Sequence, residues 1–353
     1  MDRYELRRVD YSLSQDHTDL QSAYRQFLQA YCGIEIVRAA EATGFDKNLW
    51  ERLCAMGATT MGLSEPSGGD GAGLVELTLV AEEFGRFLAP VPWIDHLVGA
   101  RLLERLGALD GGEHSDIVTG EQIIAIDPQQ QPATGARLIP AGSVAQRVLV
   151  CDGEQVKLLA LSGQSPWVDN IGKLPMAWID PAAEQCTVVG SGPQAIASYR
   201  RAQDEWRLLT AAALVGLVDQ SMTIAAEFAK TRYTLGVPIS TLQGISHPLA
   251  NIAITVQGGR GLARRAAWYL DNEPDARPEL APSAFVFMAE EAAKAATMAV
   301  HIQGGLGVSR EAAASAYLVR ARGWALAGGD PGAVAVHVGR IVADRESGAT
   351  ARG

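Results

Sequence analysis

Apolar residues recur at spacings of three and four along the first third of the chain, which predicts amphipathic helices from about residue 14 to residue 107. Two stripes show the spacing: Leu20, Tyr24, Phe27 and Tyr31, then Leu74, Leu77, Ala81, Phe84 and Leu88. Asp46 precedes a third apolar series and is predicted to be a helix N-cap. The glycine-rich stretch SEPSGGDGAG, residues 64–73, predicts a loop between two of these helices.

The pattern changes to short β-type runs between about residues 115 and 192. The predicted strands are 122–126, Arg137–Ile139, Arg147–Cys151, 156–161 and 185–189, separated by Gly, Pro, Ser and Asp. Helices then return from about residue 197 to residue 341 and are longer. One series with an unbroken 4,3 spacing is Ile245, Leu249, Ile252, Val256, Gly259, Ala263, Ala266 and Leu270.

The run 208–218 is apolar on nearly every face, which places it inside a helical bundle. The chain is therefore predicted to be mainly α with a small β domain. The expected domains are an N-terminal helical domain at 1–114, a middle β domain at 115–195 and a C-terminal helical bundle at 196–353.

The composition limits the kinds of molecule that the protein is expected to bind. The 353 residues include 30 Lys and Arg against 40 Asp and Glu, a net charge of −10, which argues against a nucleic-acid or anionic-membrane surface. Cys32, Cys54, Cys151 and Cys186 never form a C-x-x-C pair, so no metal site is predicted. No apolar export segment and no uncharged apolar stretch of membrane-spanning length is found. We therefore expect a soluble, cytoplasmic protein.

The first segment with candidate chemistry is KTRYTLGVPISTLQGISHPLAN, residues 230–251. A helix is predicted to end near 234–236, a Pro-containing turn follows, and 246–248 opens the next helix. Arg232 is the candidate functional residue, because a guanidinium can hold a pyrophosphate with two parallel hydrogen bonds. A helical hairpin with ordinary surface charge explains the segment equally well.

The second segment is HIQGGLGVS, residues 301–309, which follows a helix predicted at 283–302. Taken alone, its glycine pair is best explained as a helix C-cap. The alternative is a ligand loop, in which Gly304 and Gly305 let phosphates approach the backbone and the Gln303 amide bonds to them. No strand precedes the loop, so a Rossmann site is excluded.

Together these segments resemble the acyl-CoA dehydrogenase family over nearly the whole chain. The family pattern R-x-x-F-G-x-P-I, then Q-x-I-x-H-x-L-A, corresponds to the following residues: Arg232, Leu235, Gly236, Pro238, Ile239, Gln243, Ile245, His247, Leu249 and Ala250. Residues 62–92 resemble the family's N-terminal loop and helix ending in G-R-x-L-A-P, and QGGLG its Q-x-x-G-G-x-G loop. The resemblance implies an N-terminal helical domain, a middle β-barrel, a C-terminal four-helix bundle and FAD bound between subunits.

In this family a carboxylate removes the proton α to a thioester while hydride passes to the flavin. The resemblance places the two known base positions on Trp206 and Gly328, neither of which can accept a proton. No catalytic residue is therefore assigned. Glu205 and Asp330 are weak substitutes, and with Asp204 they are better explained as solvated charges at helix ends.

The resemblance also implies an incomplete flavin site. The segment IIAIDPQQQPATG, residues 123–135, has Ile126 where the family has a hydroxyl, and His301 replaces the leading Gln of the glycine loop. Arg232 and Gln243, which in the family reach the FAD of a neighbouring subunit, are present. This asymmetry resembles the short partner subunits of heteromeric bacterial acyl-CoA dehydrogenases of steroid side-chain degradation. The alternatives are a scaffold that binds neither flavin nor thioester, and a self-sufficient homo-oligomer; homodimer and heterotetramer both stay open.

Overall fold

The N-terminal part consists of helices. A computed structural model describes residues 10–109, 112, 114–129 and 135–350. The helices are α1 (Gln15–Tyr31), α2 (Ile34–Ala39), α3 (Lys47–Ala55), α4 (Leu74–Arg86) and α5 (Trp93–Arg105). The predicted N-cap is confirmed, because Asp46 Oδ1 accepts a hydrogen bond from the Leu49 N–H at 2.8 Å. The glycine-rich stretch contains one 3₁₀ turn, Glu65–Ser67, and is otherwise irregular.

The middle part is built from short strands. After the one-turn helix α6 (Ser115–Val118) come β1 (Ile124–Ile126), β2 (Arg137–Ile139), β3 (Arg147–Cys151), β4 (Gln155–Ala160), β5 (Ala177–Ile179) and β6 (Gln185–Ser191). β1 pairs parallel to β3, and β3–β4 and β4–β6 are antiparallel. The described residues thus form a four-stranded sheet, β1-β3-β4-β6, and a two-stranded sheet, β2-β5. Every predicted run contains a strand, and β5 was not predicted.

The C-terminal part is the predicted bundle of long helices. It contains α7 (Gly192–Thr231), α8 (Gln243–Asn272), α9 (Leu280–Gln303), α10 (Ala313–Gly323) and α11 (Pro331–Thr350). A small hairpin of β7 (Tyr233–Thr234) and β8 (Val237–Pro238) connects α7 to α8. α7 packs against α4, α8 and α9. Every residue of the run 208–218 is buried, as expected for the centre of a bundle.

Two predicted helix ends are wrong. α7 ends at Thr231 rather than near 234–236, because the chain turns into the β7–β8 hairpin. α8 begins at Gln243 rather than at 246–248, and Pro248 lies inside it. Pro248 is the sixth residue of α8, so the helix lacks one backbone hydrogen bond, the one that residue 248 would donate to the Gly244 carbonyl.

One helix in the described part of the chain, α7, is long and apolar enough to cross a membrane by length and composition. In the fold it is the central helix of the bundle, and 72% of its most apolar window is buried. Its apolar character is therefore explained by packing against the surrounding helices.

Candidate functional site

The two positions at which the family resemblance places a base lie in contact. Trp206 is on α7 and is 3% exposed, and Gly328 ends the 3₁₀ segment Ala325–Gly328. A Cβ built on Gly328 would lie 2.6 Å from Cζ3 of the Trp206 indole and 3.4 Å from the Phe285 ring. The fold therefore brings the two positions together, and the indole fills the space that a side chain at position 328 would need.

The indole is held in place by a carboxyl group that the sequence did not reveal. Trp206 Nε1 donates a hydrogen bond to Asp95 Oδ1 at 2.9 Å. Burial raises the pKa of Asp95 to about 6, although the Trp206 N–H stabilises its ionised form. The only hint in the sequence is one acidic residue within an otherwise mostly apolar stretch of α5.

A cavity of about 80 Å³ lies on the inner side of Trp206. Asp95 and Trp206 face it, and α5, the β domain and the bundle all contribute to its walls. Most of the lining is apolar, including Leu88, Trp93, Ala141, Pro175, Ala213, Trp324 and Ala327. Its polar lining residues are Asp95, Lys173, Thr210 and Arg320, so this inner cavity suits an apolar group that lies beside a few polar side chains.

A second cavity, of about 230 Å³, has a more polar lining. Its polar residues are Gln129, Arg207, Asp330 and His337, and Gly328 and Gly329 complete one side. Arg207 is 6% exposed, and its Nη1 donates to Asp204 Oδ1 at 2.8 Å. Gln129 Nε2 donates to the Ala327 carbonyl at 3.1 Å, which fixes the backbone next to Gly328. We call this space the outer cavity.

Glu205 is not the solvated helix-end charge that was predicted. It is 0% exposed, and its carboxylate accepts hydrogen bonds from Arg101 at 3.1 Å, Arg105 at 2.5 Å and Arg201 at 3.3 Å. Burial alone would raise the pKa of Glu205, but Arg101 and Arg105 outweigh it and hold that pKa below its usual value. Glu205 is thus an ion-pair anchor between α5 and α7, and a poor base.

The other two acids also have structural partners. Burial raises the pKa of Asp204, and its ion pair with Arg207 at 2.8 Å opposes that rise. Asp204 is half-buried, so it too is not a freely solvated charge. Asp330 is exposed, and its Oδ1 accepts a hydrogen bond from the Gly332 N–H at 2.9 Å at the start of α11. For Asp330 the interpretation as a helix-end charge is confirmed.

Arg232 and Gln243 lie on the outside of the molecule. Both are exposed, Arg232 where α7 ends and Gln243 where α8 begins. Among the described residues, the Arg232 guanidinium has no hydrogen-bond or ion-pair partner. Between them the hairpin projects Leu235, which is 91% exposed and has a φ of 50°. Any ligand of these two side chains would therefore contact the outer surface of this chain.

The glycine loop closes α9 as a C-cap. Gly304 adopts a φ of 62°, and its N–H donates to the His301 carbonyl at 3.0 Å. Gln303 is buried, and its Nε2 donates to the Ala299 carbonyl at 3.3 Å, so its amide is turned toward its own helix. Gly304 and Gly305 are exposed. The C-cap interpretation is confirmed, and a ligand role for Gln303, Gly304 and Gly305 stays a prediction.

The segment expected to contact an isoalloxazine does not fit FAD well. Ile126 is 0% exposed within β1 and offers no hydroxyl. The next residue, Asp127, is buried and paired with Arg137 at 3.1 Å, and its carbonyl accepts from the Tyr199 hydroxyl at 2.8 Å. Residues 130–134 of the same segment lie outside the described residues. The described part of this segment is thus built for internal packing rather than for a flavin.

Comparison with known proteins agrees with this architecture. Residues 14–110 match the N-terminal domain of acyl-CoA dehydrogenases, and residues 198–342 match their C-terminal domain. The chain is 25% identical to the acyl-CoA dehydrogenase IpdE2 of Mycobacterium tuberculosis, over 86% of this chain and 90% of that protein. It is 27% identical to the acyl-CoA dehydrogenase FadE27 of the same organism, over 89% and 93%.

Two heteromeric assemblies are among the similar solved structures. The ChsE4-ChsE5 complex from Mycobacterium tuberculosis superposes with a TM-score of 0.81 and 25% identity, covering 95% of this chain and 99% of the matched chain. A variant of the Tcur3481-Tcur3483 steroid ACAD gives a TM-score of 0.84 with 22% identity, over 95% and 100%. The two domain matches together span most of the sequence, and the chain belongs to the acyl-CoA dehydrogenase family.

Proposed function

We propose that this chain is the non-catalytic subunit of a heteromeric FAD-dependent acyl-CoA dehydrogenase. In this assembly a catalytic paralogue carries out α,β-dehydrogenation of an acyl-CoA thioester, and this chain completes the paralogue's FAD site. The observation that carries the proposal is the contact between Trp206 and Gly328, which leaves no carboxylate at either base position. The resemblance to the steroid ACAD complexes supports a heterotetramer and a steroid thioester as substrate.

The proposed contribution of this chain is binding rather than chemistry. Bound FAD would supply the hydride acceptor in the partner's site. The Arg232 guanidinium can donate two parallel hydrogen bonds to a pyrophosphate, and the Gln243 amide can donate and accept beside it. Both side chains are exposed on adjoining elements, which is the placement needed to reach a cofactor held by another subunit.

The proposal is tested by flavin retention. The chain is purified alone and co-expressed with a full-length catalytic paralogue, and bound flavin is measured from its visible absorbance. We expect flavin only in the complex. Arg232→Ala should weaken cofactor binding by about 2–4 kcal/mol, the typical loss for a charge-assisted bidentate contact.

Arg200→Ala is the matched control, because Arg200 is an exposed arginine near the other end of α7. It should leave flavin retention unchanged. A complex without flavin would favour a scaffold subunit. Flavin bound by the chain alone, with full turnover, would favour a self-sufficient enzyme. Equal retention in Arg232→Ala and the parent complex would remove Arg232 from the site.

A further inference from the structure

Trp206 lies between two cavities of different character. The inner cavity, about 80 Å³, is lined by Trp206 and Ala327. The outer cavity, about 230 Å³, is lined by Gly328, Gly329 and Arg207. Ala327 and Gly328 are consecutive, and a Cβ on Gly328 would touch the indole, so the indole and this short stretch of backbone lie between the two spaces.

The wall is firmly fixed from several sides. The indole N–H is bonded to Asp95 on the inner side, and its ring lies 6.1 Å from the Phe285 ring, centroid to centroid. The Ala327 carbonyl is bonded to the Gln129 amide, whose side chain faces the outer cavity. A side chain held in this way does not turn aside without breaking a buried hydrogen bond.

We propose that Trp206 is a plug that closes an acyl-thioester channel in this subunit. With the plug in place, a thioester entering the outer cavity cannot pass its acyl chain into the inner cavity. Without it, the two spaces join into one channel with a polar mouth and an apolar end. This inference rests on the proposed function, since it explains why only the partner subunit would bind the thioester.

The shape of the two spaces defines the ligand class. Gln129, Arg207, Asp330 and His337 give the outer cavity a polar lining that suits the thioester end of a CoA ester. The mostly apolar lining of the inner cavity suits the end of a hydrocarbon chain. Neither cavity alone reaches the roughly 300 Å³ of an ordinary small-molecule site. Removal of the indole adds the volume of its two rings between them, which is room for a chain of medium length.

The test measures thioester binding to the purified chain without flavin. Calorimetric titrations with CoA and with octanoyl-CoA are compared for the parent chain and Trp206→Ala. The parent should bind the two equally weakly. Trp206→Ala should bind octanoyl-CoA about 10- to 100-fold more tightly than CoA, because each CH₂ transferred from water into the channel strengthens binding roughly four-fold.

Asp95→Asn and Trp206→Leu complete the design. Asp95→Asn keeps the volume of the wall and an acceptor for the indole, so it should bind octanoyl-CoA no better than CoA. Trp206→Leu should show a smaller preference than Trp206→Ala, and it takes the place of Trp206→Ala if that variant loses its cooperative thermal transition.

Three outcomes would overturn the plug. One is a parent chain that already prefers octanoyl-CoA as strongly as the variant does. Another is a folded Trp206→Ala with no preference. The third is loss of the fold in both substituted chains, which would make the indole a core residue only. This assay does not depend on flavin retention in the heteromeric complex. A negative result here would therefore contradict the role of Trp206 without contradicting the proposed function.

Discussion

Asp95 is a single acidic residue in a mostly apolar stretch, and the spacing of apolar residues along the sequence does not show why it is buried. The apolar pattern predicted the helix around it, and the motif comparison predicted Trp206. Neither could show that α5 and α7 place the two side chains 2.9 Å apart. Glu205 is a similar case, because its three arginine partners come from two helices. Sequence spacing gives the face of one helix, whereas a buried ion pair depends on how two helices cross.

The raised pKa of Asp95 makes a prediction about stability and pH. The pKa of the Asp95 carboxyl is about 6 in the folded chain and has the usual aspartate value of 3.8 in the unfolded chain. The folded state thus binds the extra proton between these values, and stability falls as pH rises through that window. Asp95→Asn keeps the acceptor for Trp206 without the charge. At pH 7 it should be more stable than the parent by up to about 3 kcal/mol.

The measurement is urea unfolding of both chains from pH 4 to pH 8. The two free energies of unfolding should converge near pH 4 and separate up to about pH 6. Asp169→Asn makes the same change at an exposed carboxylate and should give no pH-dependent difference of that size. Parallel curves across the whole range would show that Asp95 is not desolvated as described.

Glycines set the crossing of α4 and α7, where a helix of the N-terminal part packs against the central helix of the bundle. A Cβ on Gly216 would overlap the Glu82 carbonyl, and one on Gly85 would overlap the Ala213 carbonyl. Gly216→Ala should therefore destabilise the chain by about 1–3 kcal/mol or more, since the helices must separate. Gly261, inside α8, has open space around its Cβ position. Gly261→Ala should stabilise the chain by about 0.5–1 kcal/mol.

Denaturant midpoints measured on the two variants check the opposite signs. The same substitution in two helices separates helix propensity, which favours alanine in both, from packing, which opposes it in one. A Gly216→Ala chain as stable as the parent would contradict the crossing geometry, and a destabilised Gly261→Ala chain would contradict the open space at position 261.

The long helices were predicted from the sequence, and one of the short strands, β5, was missed. The helices of the bundle repeat their apolar spacing over many turns, so their positions followed from the sequence. β5 has three residues, and its central Trp178 is exposed, which leaves too little alternation to detect. The end of α7 was misplaced because the turn after it is a hairpin fixed by pairing between Tyr233–Thr234 and Val237–Pro238, which spacing along one helix does not register.

The overall architecture followed from the order of element types, helices, short strands, then long helices, together with the family motifs. The candidate site could be predicted from the sequence only in part. Motif spacing placed Trp206 and Gly328 at the base positions, but their mutual contact, the Asp95 bond and the two cavities depend on packing among all three parts of the chain. The domain bounds 1–114, 115–195 and 196–353, the oligomeric assembly and the cytoplasmic location remain predictions.

The final prediction concerns activity of the whole molecule. The chain alone should have little or no acyl-CoA dehydrogenase activity, because a thioester α-proton needs a positioned base and the two family positions hold an indole and a hydrogen atom. Loss of a general base typically lowers the rate by about 10²–10⁴-fold. Turnover should appear only when a partner supplies a carboxylate. An artificial-electron-acceptor assay over several acyl-CoA lengths and a steroid thioester measures this with the chain alone and in the complex.

Three variants separate a true absence of activity from a misidentified base. Glu205→Gln, Asp330→Asn and Asp95→Asn each remove one carboxyl group of this chain. None of them should lower turnover by the complex by the roughly 10²–10⁴-fold that loss of a general base causes. Glu205→Gln is expected to lower stability, because it leaves Arg101 and Arg105 facing each other without their shared anion. Robust turnover by the chain alone, abolished in one folded variant, would identify that carboxyl as the base and make this chain a complete enzyme.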